Sequence, residues 1–75
     1  MKLSECLLLK SLKITNIKCT KNIRERLAIL GVLEGGIIVL VRKAPFGGPV
    51  EIKTRDFYLA IRKNQADKIF VEYYD

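Results

Sequence analysis

The sequence predicts a small, strongly bent antiparallel β-barrel closed by one short helix. Three observations lead there. Short apolar runs with strand character recur along the chain, separated by Gly/Pro or charged turns. A single stretch, residues 22–30, has helical periodicity. The connections between runs are too short for the crossovers a parallel sheet needs, so a curled antiparallel sheet is what remains.

The first strand comes from Leu12, Ile14, Ile17 and Cys19, with Lys13, Thr15 and Lys18 between them. The alternation slips at Asn16, which predicts a bulge or bend. Residues 7–10 read as a turn or a lead-in to that strand. In the helix, Asn22 is a candidate N-cap with Glu25 three residues later, and Thr20 is the rival cap. Ile23, Leu27 and Leu30 make one apolar stripe, and Gly31 supplies the stop. So short a helix is unstable alone and must dock on the sheet.

Gly35-Gly36 predicts a tight turn, and residues 37–41 an apolar strand covered on both sides. Ala44-Pro45-Phe46-Gly47-Gly48-Pro49 combines two fixed prolines with two free glycines, so it reads as a defined loop with Phe46 at its tip. Residues 50–54 return as a hairpin strand. After a turn at Arg55-Asp56, Phe57, Leu59 and Ile61 line one face of the fourth strand. Residues 63–68 form a helical turn with Asn64 as its cap, and residues 69–74 a last strand. The expected interior draws on Ile14 and Ile17, Leu27 and Leu30, Val39 and Val41, Ile52, Leu59 and Ile61, and Ile69 and Val71.

Seventy-five residues make one domain, residues 1–75, with no repeat or linker. A chain of this size buries only about 60% of its unfolded surface, so the core must be simple. An apolar content of 49% suffices for that core and argues against disorder. The net charge of +6 suits an acidic partner, nucleic acid or an anionic membrane surface. Its nearest approach to a cluster, Lys10, Lys13, Lys18, Lys21, Arg24 and Arg26, is interleaved with apolar residues, as on a solvated face. Cys6 and Cys19 are too few for a disulfide framework, so free thiols and a cytoplasmic location are expected. Residues 37–41 fall far short of a membrane span, and direct membrane insertion is not expected.

Several chemistries lack their parts. Without histidine, a zinc or ferrous site would rest on thiolates and carboxylates, and Glu25, Glu34, Glu51, Asp56, Asp67 and Glu72 are scattered. No metal site or cofactor is expected. No paired carboxylates, phosphate-binding loop or nucleophile–base pair appears, so the chain is not expected to be an enzyme. Single-stranded nucleic acid binding is the rival function, with Tyr58, Tyr73 and Tyr74 as stacking residues and Tyr58 and Tyr74 sharing a face. Glu72 and Asp75 flank Tyr74, however, and would repel phosphate.

The ordered set Arg26-Leu27, Leu30-Gly31, Glu34-Gly35, the apolar strand, Ala44-Pro45-Phe46-Gly47 with Pro49, then Ile61-Arg62, Ala66, Ile69 and Val71 resembles the FeoA family across residues 8–72. Gly48 stands where that family commonly has an acid, Ile61 where it has leucine, and Gln65 where it has glutamate. A glycine that often precedes the first strand is missing near Lys10.

The resemblance implies a mainly β fold, an SH3-like five-stranded barrel, serving ferrous iron uptake in prokaryotes. The implied partner is FeoB, a membrane transporter with a cytoplasmic GTPase domain. The family is also similar to the C-terminal domain of DtxR-type metal-dependent repressors, but this chain has no DNA-binding helices to match theirs. Partner binding would use the helix face and the rigid loop. Phe46 and Pro45 would be the apolar contact, with Arg42, Lys43 and Arg62 as nearby charge; the alternative is that Phe46 folds back and caps the barrel. An open strand edge would also permit weak self-association.

Overall fold

The computed structural model describes residues 1–74. A 3-10 turn at Leu3–Glu5 leads into strand β1 (Ser11–Ile17), helix α1 (Lys21–Ile29), and strands β2 (Ile37–Lys43), β3 (Val50–Lys53) and β4 (Tyr58–Ile61). A single helical turn, α2 (Lys63–Ala66), and strand β5 (Ile69–Tyr73) follow. The strands form one antiparallel sheet in the order β4-β3-β2-β1-β5.

Two bulges let so small a sheet curl. One lies in β1 between Ile14 and Asn16, at the predicted slip, where the extra residue Thr15 donates its hydroxyl to the Phe70 carbonyl at 3.1 Å. The other lies in β2 between Leu40 and Arg42 and makes Val41 the extra residue. The outer edge of β5 is met by the N-terminal segment: Lys2 bridges Phe70, and the Val71 N–H donates to the Met1 carbonyl at 2.9 Å.

Helix α1 starts earlier than Asn22. Thr20 is the N-cap, with extended backbone and its hydroxyl accepting from the Ile23 N–H at 3.5 Å. Asn22 therefore lies inside the first turn. Ile23 occupies the position a capping-box glutamate would need, so Glu25 cannot play that part. At the other end Gly31 has φ +90°, its N–H donates to Ala28, and the Val32 N–H donates to Leu27. Those two bonds make a Schellman ending, with Val32 and Leu27 both buried beneath it. Leu30, one of the three predicted stripe residues, is left at the surface.

The buried core is Leu12, Ile14 and Ile17 from β1, Ile38 and Leu40 from β2, Val50 and Ile52 from β3, Ile61 from β4, and Ile69 and Val71 from β5. Leu27, Val32 and Ala66 complete it, together with Leu3 and Cys6 from the N-terminal segment. Relative to expectation, β2 is turned over. Ile38 and Leu40 point inward, while Val39 and Val41 are half-buried and Ile37 is exposed, so the strand is not fully covered on both sides. Register is the reason: Leu40 pairs with Ile52 and Leu59 with the same residue from the far side, forming an inward row. Val39 joins Lys53 and Tyr58 in the outward row. Leu59 packs against the core only in part, and Phe57 precedes β4 and is exposed.

The second helical turn is not capped by Asn64. Arg62 is its N-cap residue, without a side-chain bond, and Asp67 ends it. Asp67 instead ties two elements together, accepting from the Ser4 hydroxyl and from Lys63 Nζ at 2.9 Å. The Lys63 hydrogen bond, followed by that of Ser4, lowers the Asp67 pKa below its ordinary 3.8. A carboxylate with a lowered folded pKa contributes stability above its unfolded value and loses it as pH falls through the folded one. The expected outcome is an acid-side fall in melting temperature below the ordinary aspartate range, shallower in Asp67→Asn. Identical pH profiles for the two proteins would count against the tie. The side chain is only half-buried, so solvent screening keeps the effect small.

Candidate functional site

The loop between β2 and β3 is built on a two-residue turn. The Ala44 N–H donates to the Pro49 carbonyl at 3.0 Å and closes its neck; the Gly48 N–H donates to the Pro45 carbonyl at 3.2 Å and closes its tip. Between them Phe46 and Gly47 both have positive φ, 58° and 72°. That pair of signs belongs to a type I′ turn, for which glycine and asparagine are the usual residues. A phenylalanine held left-handed is strained, and strain of this kind concentrates at functional positions.

Gly48 has a different cause. A Cβ there would stand 2.7 Å from the Ala44 Cβ and 3.2 Å from the Pro45 carbonyl oxygen. The loop folds this tightly because position 48 has no side chain.

Phe46 is fully solvent-exposed, 104% relative to the reference, so it does not fold back onto the barrel. Arg42 and Lys43 leave the end of β2 exposed, and Pro45 is exposed beside the tip. Lys43 pairs with Val50, and Val50 with Ile61, so the residue after Ile61, Arg62, comes to the same end of the sheet, also exposed. A Cβ on Gly47 would lie 3.7 Å from Lys63 Cδ, which sets the loop tip against the first residue of α2. All five residues expected at a partner-binding site are thus gathered at one end. Lys63 joins them; only the contact across to Gly47, distant in sequence, reveals it.

A second apolar surface lies along the helix. A groove of about 710 Å³ runs between the end of α1 (Ile29, Leu30), the start of β2 (Ile37, Val39) and Phe57 at the β3–β4 turn, with Lys53 and Arg55 among its lining. Sequence periodicity had assigned Leu30 and Val39 to the interior and put Phe57 on one strand face with Leu59 and Ile61, which hid this groove. Thr54, buried at its floor, accepts from the Phe57 N–H at 3.1 Å and donates to the Phe57 carbonyl at 3.3 Å, holding the turn shut.

The tyrosines do not form a shared platform. Tyr58 is on β4 and Tyr74 follows β5, the two outer strands, with three strands between them. Lys53 Nζ lies 5.6 Å from the Tyr58 ring, and the Tyr73 hydroxyl accepts from the Leu7 N–H. Both cysteines are free thiols; burial pushes the Cys6 thiol up, opposed by the N-terminal amine and Lys43. Among the described residues there is no group of three or more His, Cys, Asp or Glu side chains placed to hold a metal ion. The site offers an apolar anchor, a cationic surround and a stiff backbone, which are the parts of a binding surface.

A family model described as "FeoA domain" matches residues 1–73. The FeoA protein of Chlorobium tepidum superposes with a TM-score of 0.91 at 32% identity, over 100% of this chain and 71% of that one. The zinc complex of Stenotrophomonas maltophilia FeoA, described as a prokaryotic SH3 domain protein and a candidate ferrous iron transport activating factor, superposes at 0.76 with 26% identity. That match covers 96% of this chain and 89% of the other. A manganese-dependent transcriptional repressor gives 0.86 at 13% identity, over 99% of this chain and 41% of its own, which is a likeness of fold alone. The curled five-stranded sheet is thereby an SH3-like domain.

Proposed function

The chain belongs to the FeoA family, and from that membership we propose that it is an accessory protein of ferrous iron uptake, docking on the cytoplasmic GTPase-bearing part of a FeoB-type transporter. The observation that carries the docking surface is Phe46, fully exposed and left-handed at the tip of a doubly hydrogen-bonded turn. An aromatic on a stiff loop buries a large area at little entropic cost, as hot-spot residues do. Pro45 extends the apolar contact. Arg42, Lys43 and Arg62 surround it with positive charge, which steers an acidic surface into register more than it adds affinity.

In this reading the protein acts by holding its partner and carries no reaction of its own. Its place is the cytoplasm, beside the transporter. No helix among the described residues is long and apolar enough to cross a membrane.

The test is a calorimetric titration of the whole chain into the purified cytoplasmic part of a FeoB-type transporter, with and without guanine nucleotide. Saturable binding in roughly the micromolar range is expected, as for a small transient interface. It should weaken as salt screens the rim charges. A flat titration in both nucleotide states would remove the proposal.

A further inference from the structure

We propose that the loop at residues 7–10 seats the protein on an anionic lipid surface. This surface is separate from the Phe46 loop and does not depend on the transporter reading. Leu7, Leu8 and Leu9 are consecutive and remain 63%, 46% and 72% exposed. Leu9 has φ +63°, a conformation disfavoured for leucine, and its N–H donates to the Leu40 carbonyl at 2.8 Å. The Leu7 N–H donates to the Tyr73 hydroxyl at 3.0 Å. The leucines are therefore held outward by a fixed backbone. Strain kept at an exposed apolar tip points to a use for it.

The surroundings match a membrane interface. Tyr73 and Tyr74, both exposed, share a hollow of about 350 Å³ with Leu7, Leu9 and Lys10. Amphipathic rings and lysine stems beside an apolar tip suit the headgroup layer. Lys10 lies in the hollow. Among the described residues, the acids on the adjoining elements are Glu5 and Glu72, and Glu72 stands opposite Lys13 in the sheet register. The whole chain carries +6. Three neighbouring side chains on a turning backbone leave in different directions, so a rigid partner would cover one or two of them. A fluid headgroup layer closes around all three. The contact is shallow, unlike a span, and charge attraction to anionic lipid adds to the apolar contact.

The experiment is co-sedimentation of the whole chain with lipid vesicles, alongside gel filtration and thermal melts. Binding is expected to vesicles with about 30% phosphatidylglycerol and not to pure phosphatidylcholine. The double variant Leu7→Ser/Leu9→Asn keeps the backbone bonds, and asparagine tolerates the left-handed position. Its melting temperature should hold while vesicle binding falls about tenfold or more. Lys10→Glu, at an exposed position, should also weaken binding, whereas Phe46→Ala should sediment like the parent. The proposal is overturned if the parent protein ignores anionic vesicles, or if the leucine variant binds as well as the parent, which would mean diffuse charge alone. It is overturned too if the parent is a dimer in the absence of lipid and the leucine variant a monomer, since a second copy would then occupy the patch.

Discussion

Leu40→Ala lowers the melting temperature by roughly 12–24 °C, on the scale of about 4–8 °C per kcal/mol for a domain of this length. Leu40 is fully buried, on a strand hydrogen-bonded to neighbours on both sides, and stands in the inward row with Ile52 and Leu59. Removing its side chain leaves a cavity that rigid strands on both flanks cannot collapse, at a cost of about 3 kcal/mol. The total stability of a chain this short is only about 4–11 kcal/mol. Val41→Ala, one residue along, should cost about 1 kcal/mol or less, because Val41 is the half-buried extra residue of the bulge. Circular dichroism melts of the two variants compare the two faces of one strand. Equal losses would mean that β2 is covered on both sides, as its unbroken apolar run implies, and that the observed phase is wrong.

Phe46→Gly weakens binding to the transporter's cytoplasmic part by about thirtyfold, the equivalent of a 2 kcal/mol hot spot, with the melting temperature unchanged or raised. The side chain contributes nothing to the core, being fully exposed, while its backbone is held at φ +58°. Glycine relieves about 1–3 kcal/mol of that strain and costs about 0.5–1 kcal/mol in added freedom of the unfolded chain. Phe46→Ala makes the complementary comparison: it loses the ring and keeps the strained backbone, so it should bind as poorly and melt lower than Phe46→Gly. Titration with both variants separates the anchor from the turn. Parental affinity in Phe46→Gly would place the contact elsewhere, with the groove beside Ile29 and Phe57 as the next surface to probe.

Much of the scaffold was legible because the signals are local. Gly31, Gly35 and Gly47 all take positive φ where the sequence called for stops and turns, and the slip near Asn16 became a bulge. The family pattern extended that reading over the whole domain, and the family match covers residues 1–73. What the pattern missed was packing at a distance. The Leu3–Glu5 turn has no periodicity to announce it, yet Leu3 and Cys6 are buried and Ser4 bonds to Asp67. Asn22, with Glu25 three residues on, was the first choice of cap and Thr20 the rival, until the extended backbone at Thr20 reversed the order. The candidate site shows the same division. Pro45, Gly47 and Gly48 mark a rigid loop by themselves, while the exposure of Phe46 and its neighbour Lys63 follow from how β3, β4 and α2 pair.

By itself the sequence determined the order of elements, the positions of the turns and the antiparallel class, because glycine, proline and short connections constrain the chain within a few residues. The tertiary structure alone decided which face of β2 looks inward, which residues outside the strands complete the core, and which apolar side chains remain in solvent. In a strand where every residue from Ile37 to Val41 is apolar, alternation carries no phase. Only the register against Leu12 on one side and Ile52 on the other supplies it.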